Sequence, residues 1–375
     1  MRDSRYRSLA AALAGLALVA GAGSPAVAEP GRSLLARCFS PAEIAARAGE
    51  EKPLKGQHGF DRAEPGRALH PFEPVAASQR GAIRSVRLPA GQKLIALTLD
   101  LCEQPGEIAG YDGAIFDYLR AEGVKATLFV GGKWMRSHTP RLRQLMSDPL
   151  FEIANHSAGH RNLRLLSGDR LKEEIAAPQR AYESIREAFT GEQCVGGAGA
   201  AAQSIPNRMR LFRFPYGACN AQSLDAVNDA GLLAIQWNVS TGDPWPGQSA
   251  KAIARAALAE ARPGAIVIAH ANGRGFHTAE ALPLFIPKLK AEGYRFVTVS
   301  ELLAAGTPEI VNSCYNVKPG DTDRYDNLVA ALARPAATRA RPGTQGSTTP
   351  GGGGSGWSPT VKPQATTPAR SRARS

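Results

Sequence analysis

Six side chains able to move protons or hold cations sit at similar places along this 375-residue chain. Asp100 closes a short apolar run, residues 94–100. His156 closes another, 151–156, with His160 four residues on. Arg213 lies in the run 211–214, directly before Pro215-Tyr216-Gly217. Asp243 and Trp245 follow the run 232–239, and His270 closes the run 265–270. A His-x3-His pair coiled into a helical turn turns both imidazoles one way and can chelate a divalent ion. Taken singly, each residue has a plainer role open to it. Asp100 can cap a helix, Arg213 can form a structural salt bridge, His270 can be a core histidine, and His156 and His160 can be surface or packing residues. What sets them apart is their shared position at the ends of apolar runs.

Those runs predict strands. With 125–130 and 295–299 they make seven short, bounded segments rich in Ile, Val, Leu and Phe, as expected of strands buried on both faces. Helices are predicted between them: 112–122 before Gly123, 141–146 after Thr139-Pro140, then helices opened by Ser167, Asn220, Ser249 and Thr278. Repeated β-then-α units imply a parallel sheet, closed as a barrel or open and doubly wound. The carboxyl ends of parallel strands share one face, so the six residues can meet there. No internal repeat is visible. Residues 195–205, rich in Gly and Ala, read as a loop insertion. Residues before Lys93 lack periodicity and are expected to wrap the core.

In this order the segments resemble the five motifs of the NodB-homology polysaccharide deacetylases, a carbohydrate esterase family, over about residues 93–303. Thr98-Leu99-Asp100-Leu101 resembles the family's T-F-D-D. His156-Ser157-Ala158-Gly159-His160 matches H-[ST]-x-x-H, and Arg213-Phe214-Pro215-Tyr216-Gly217 matches R-x-P-[YF]-G. Asp243-Pro244-Trp245 and Ile268-Ala269-His270 resemble the fourth and fifth. The resemblance implies a distorted (β/α) barrel with about seven parallel strands. It implies a divalent metal on His156 and His160, zinc most often, with cobalt or nickel able to serve. Asp100 would be the general base, oriented by Arg213, and His270 the general acid, oriented by Asp243. A backbone N–H near Tyr216 would stabilise the oxyanion, and Trp245 and Ile268 would line the acetyl pocket. The implied reaction is hydrolysis of N-acetyl groups from amino sugars of a chitin-like glycan, peptidoglycan or exopolysaccharide. An O-deacetylase, a small-amide hydrolase or a silent glycan-binding envelope protein are the competing functions.

One position departs from the family. Its second aspartate, a metal ligand, is Leu101 here, and leucine cannot coordinate. Side chains alternate along an extended chain, so Glu103 falls on the side of Leu101 and is the expected replacement ligand. Two histidines completed by Asp100 or water are a second arrangement. Cys102 is a third, placed on the other side, and a metal-poor inactive homologue is a fourth.

The ends of the chain read differently from its middle. Arg2, Arg5 and Arg7 precede an apolar run over residues 9–22, and Ala26-Val27-Ala28 follows, as in a secretory signal cleaved near Ala28. An uncleaved anchor is the alternative, although the run is shorter than the ~20 residues a span needs. Residues 334–375 are mostly Pro, Gly, Ser, Thr, Ala and Arg, with seven basic residues and no acid. Such a composition favours a disordered tail. The formal net charge of +12 is therefore mostly an end effect. It does not argue for a nucleic-acid-binding fold, no nucleic-acid partner is expected, and the tail is either solvated or leaning on an anionic envelope surface. The expected divisions are 1–28 signal, 29–92 N-terminal extension, 93–305 catalytic domain, 306–333 C-terminal extension and 334–375 tail, in a secreted or periplasmic protein. Five cysteines leave at least one free thiol. Cys194 with Cys219 and Cys38 with Cys314 are the pairs considered.

Overall fold

The structure, a computed structural model, describes residues 33–63 and 72–327. The expected signal and basic tail lie outside them. The main sheet has ten strands: β1 (Ala82–Arg87), β2 (Leu94–Leu101), β3 (Ala126–Val130), β4 (Phe151–Asn155), β5 (Leu211–Phe212), β6 (Leu233–Ile235), β7 (Val239–Ser240), β8 (Ile266–His270), β9 (Arg295–Phe296) and β10 (Thr307–Val311). Their order is β10-β1-β6-β5-β4-β3-β2-β8-β7, with β9 also paired to β2. Every pairing is parallel except β10 on β1.

The predicted strand 232–239 is in fact two, β6 and β7, which stand near opposite ends of that order. The three residues between them bridge the seam: Gln236 N–H donates to Ile83 O at 2.7 Å and Asn238 N–H to Ile266 O at 3.2 Å. The sheet thus curls almost onto itself as a distorted (β/α) barrel. Strand β1 falls in the segment expected to wrap the core. Five of its six residues are buried, and burial on both faces removes the alternation that would mark it. The run 295–299 holds only a two-residue strand, because Thr298 caps a helix at Val299–Ala304. The insertion at 195–205 contains helical turns, Gln193–Gly196 and Ala200–Gln203.

Strand parity sorts the core into two sides. On β2, Leu94 and Ala96 join Phe129, Trp237, Ile266 and Ile268 inside the barrel. Ile95, Leu97, Leu99 and Leu101 face the helix layer, against Ile115, Phe116 and Leu119 of the helix Gly113–Glu122. The interior series continues through Thr98 and Asp100, so alternation delivers a carboxylate to the barrel mouth. His270 continues Ile266 and Ile268, His156 continues Ala154, and Arg213 continues Leu211 in the same way.

The disulfides differ from both pairs considered. Cys38 joins Cys194, with Cα atoms 5.2 Å apart, and Cys219 joins Cys314 at 5.3 Å. The reason is packing across the sequence: the helix Leu34–Cys38 lies on the turn Gln193–Gly196. Cys102 is the free cysteine.

Candidate active site

Asp100 and His270 are register partners on adjacent strands β2 and β8, which places both at one mouth of the barrel. Asp100 is buried. Arg213 Nη1 donates to its Oδ1 at 2.8 Å and to Thr98 Oγ1 at 2.7 Å. The same guanidinium donates to the carbonyls of Ile235 and Gln236, each at 3.3 Å, and lies 3.9 Å over the Phe129 ring. Burial opposes charge on Asp100, but Arg213, His156 and His270 outweigh it and hold the carboxyl below its usual range. A carboxylate fixed on one oxygen and ionised keeps its other oxygen as a proton acceptor.

Asp243 is fully buried behind His270. Its Oδ1 faces His270 Nδ1 at 3.0 Å and accepts from Thr241 Oγ1 at 2.9 Å. Its Oδ2 accepts from the His270 backbone N–H and from Thr278 Oγ1, each at 2.7 Å. The ring is therefore held through Nδ1, leaving Nε2 for chemistry. Burial disfavours the imidazolium, yet Asp243 by charge and hydrogen bond, with Asp100, raises the pKa above 6.5. One buried acid ionised and one imidazole inclined to keep its proton make a base and an acid in the same cleft.

The segment 156–160 is not the helical turn expected from the spacing. Ser157 and His160 take left-handed φ of 65° and 53°. Asn155 Oδ1 accepts from Ser157 N–H, and Glu174 Oε2 accepts from the N–H groups of Ala158 and Gly159. This tight loop still brings the two imidazoles together, with ring centroids 5.0 Å apart. His156 Nδ1 donates to Arg213 O at 2.9 Å, and Nε2 lies 3.5 Å from Asp100 Oδ2. Burial pushes the pKa of His156 down and that of His160 well below 6.5, so both rings are neutral donors. Nδ1 of His160 is buried with no hydrogen-bond partner among the described residues. Such an orphaned nitrogen fits a metal ligand, and the pair fits a divalent ion.

Glu103 is not brought to these histidines. Its side of the strand is the helix layer, where Leu101 is packed in apolar core. Glu103 Oε1 instead accepts from Ala109 N–H at 3.1 Å and Ser137 Oγ at 2.5 Å, and lies 3.2 Å from His138 Nδ1. Alternation assigned it correctly to the side of Leu101, and that side points away from the site. Cys102 continues the interior series, and its Sγ lies within 4.8 Å of both a His156 and a His160 ring nitrogen.

These groups open onto a cleft of about 430 Å³, lined also by Tyr216, Trp245 and Ile268. Tyr216 has φ 61°; its ring lies 4.6 Å from that of His160, and its hydroxyl accepts from Gln104. Trp245 is 67% exposed at the rim. Trp237, Arg274, Arg324 and Tyr325 also line the cleft and were not singled out in the sequence. Arg324 and Tyr325 belong to no strand-end motif, so periodicity gives no sign of them.

Comparison with known proteins points the same way. The polysaccharide deacetylase family matches residues 87–196, which contain Asp100, His156 and His160. A peptidoglycan-N-acetylglucosamine deacetylase of Bacillus cereus is 28% identical over 220 residues, 58% of this chain and 91% of the relative. A chitooligosaccharide deacetylase of Azorhizobium caulinodans is 27% identical over 223 residues, 56% of this chain and 95% of the relative. A solved structure of the Bc1960 peptidoglycan N-acetylglucosamine deacetylase is 24% identical, covers 61% of this chain and 96% of its own, and gives a TM-score of 0.49. With the five motif segments gathered at one barrel mouth, this chain carries, over residues 87–196, a polysaccharide deacetylase domain of the NodB-homology type.

Proposed function

We propose that this protein hydrolyses N-acetyl groups from amino sugars of a polysaccharide or oligosaccharide, releasing acetate. The observation that carries the reading is the pairing of Asp100, locked on Arg213, with His270, hydrogen-bonded through Nδ1 to Asp243, in one cleft beside two metal-competent histidines. The relatives named as deacetylases of peptidoglycan and chitooligosaccharide support an N-acetylated glycan as the substrate class. His156 and His160 would hold the divalent cation, for which zinc is our choice. When bound, such a cation supplies Lewis acidity toward the acetamide oxygen and lowers the pKa of water.

The chain's own residues do the rest. Asp100 Oδ2 takes a proton from the attacking water. Arg213 keeps Oδ1 fixed, so the carboxylate need not reorient. The Tyr216 N–H donates to the acetamide oxygen as negative charge builds there. His270 Nε2 delivers its proton to the departing nitrogen, since an amide nitrogen leaves poorly until protonated. Ile268 and the rim indole of Trp245 receive the acetyl methyl and the sugar. Export to an oxidising compartment is part of the proposal; both disulfides suit it.

An acetate-release assay on matched N-acetylated and O-acetylated glycans tests the reading. Loss of a positioned acid or base costs about 10²–10⁴-fold. Asp100→Asn should fall by this much on both substrates. His270→Ala should fall by this much on the amide and far less on the ester, whose alkoxide leaves more easily. Equal losses on both, or ester cleavage alone, would refute N-deacetylation.

A further inference from the structure

The geometry points to the Cys102 thiolate as the third protein ligand of the cation held by His156 and His160, a His₂Cys centre in place of a carboxylate-containing one. The inference rests on the proposed function for the presence of a cation at this site. Three observations carry it. First, Sγ of Cys102 and one ring nitrogen each of His156 and His160 form the only cluster of three His, Cys, Asp or Glu donors of this compactness among the described residues, all within 4.8 Å of one another. Second, His160, a member of this cluster, has a buried Nδ1 without a hydrogen-bond partner among the described residues. Third, the two disulfides consume the other four cysteines, while Cys102 is buried, unpaired and on the cleft wall.

The chain explains why sulfur stands here. Strand parity sends Leu101 into apolar core and Cys102 to the mouth, in series with Asp100. Glu103 then anchors the turn from behind, through Ala109 and Ser137. Asn272 Nδ2 donates to Cys102 O at 2.7 Å and to Sγ at 3.3 Å, fixing the residue from the β8 side. A hydrogen bond to a ligand sulfur is the outer-shell support that metal centres use. A thiolate preserves the single negative charge that a carboxylate would bring. It replaces a hard oxygen by a soft sulfur, shifting preference toward zinc and cobalt and away from magnesium and calcium. With Zn–N near 2.0 Å and Zn–S near 2.3 Å, tetrahedral donors lie about 3.5 Å apart, so a closing of roughly an ångström completes the set. Binding releases the thiol proton to solvent, and no other bond changes.

Cobalt(II) substitution of the full-length protein reads the ligand directly. The wild-type protein should show a sulfur-to-cobalt charge-transfer band in the near ultraviolet, together with the visible bands of four- or five-coordinate cobalt. Because Cys102 is the free thiol, that band has one source. Cys102→Asp should bind cobalt without the band. Cys102→Ser should lose the band and weaken cobalt by more than the roughly 10–100-fold that loss of an outer-shell partner costs. Cobalt bound by the wild-type protein with no charge-transfer band would overturn the assignment, as would a band that persists in Cys102→Asp. Acetate release without the band fails this inference and leaves the proposed function standing. The band without acetate release does the reverse.

Discussion

Arg213 is the residue on which most of the site leans, because it is the buried positive charge paired with the Asp100 carboxylate. Removing one partner of a buried pair costs about 3–5 kcal/mol, since the other charge is left uncompensated. Arg213→Met should therefore lower the unfolding free energy by about that amount in a urea titration. It should also raise the pKa of Asp100, moving the acidic limb of the rate profile to higher pH. His270 gives the opposite limb. Its pKa is raised by Asp243, and the acid form is the active one, so the rate should fall as pH climbs through that raised value. Asp243→Asn removes the charge that raises it, and the alkaline limb should move to lower pH. At this scale much was legible: Asp100, His156 and His270 close apolar runs, His160, Arg213 and Asp243 lie in or just after such runs, and the fold brings them together. The choice between Glu103 and Cys102 was not legible. Alternation fixes relative sides, but which side faces the barrel interior depends on where the helices pack.

The elements explain how the barrel closes. Closure at the seam depends on the turn into β8, where Gly264 has φ +82° and a Cβ would stand 1.7 Å from Val86 O. The same turn binds β1, with Val86 N–H donating to Gly264 O at 2.9 Å. Gly264→Ala must open that contact. We expect a loss of more than about 1–3 kcal/mol, the range for backbone strain alone, seen as a lower urea midpoint. The glycine itself is unremarkable in the sequence, because its neighbour β1 went unrecognised. A strand with five buried residues and Arg84 at its centre shows neither period. Helices such as Gly113–Glu122 and Ala221–Asp229 were readable from Gly123 and Asn220, whose roles are local.

Over the described residues, two covalent ties hold distant parts of the chain to the barrel. Cys219–Cys314 closes a separation of 95 residues, joining the stretch after the arginine motif to the segment leading to Arg324 and Tyr325 at the cleft. Loop-closure entropy for such a length is worth roughly 4–5 kcal/mol. The double variant Cys219→Ala with Cys314→Ala should lose about that much in chemical unfolding, and its KM for glycan should rise more than its kcat falls. The pairing itself lay beyond spacing alone, because it is set by which loops the barrel makes neighbours. No helix among the described residues is long and apolar enough to cross a membrane.

Mass spectrometry of an N-acetylated chitooligosaccharide incubated with the zinc-loaded protein addresses the central claim most directly. The account predicts products of unchanged sugar count that have exchanged acetamides for free amines, with none formed by Asp100→Asn. Shortened sugar chains, or fully acetylated oligosaccharide recovered after incubation with stoichiometric protein, would contradict it.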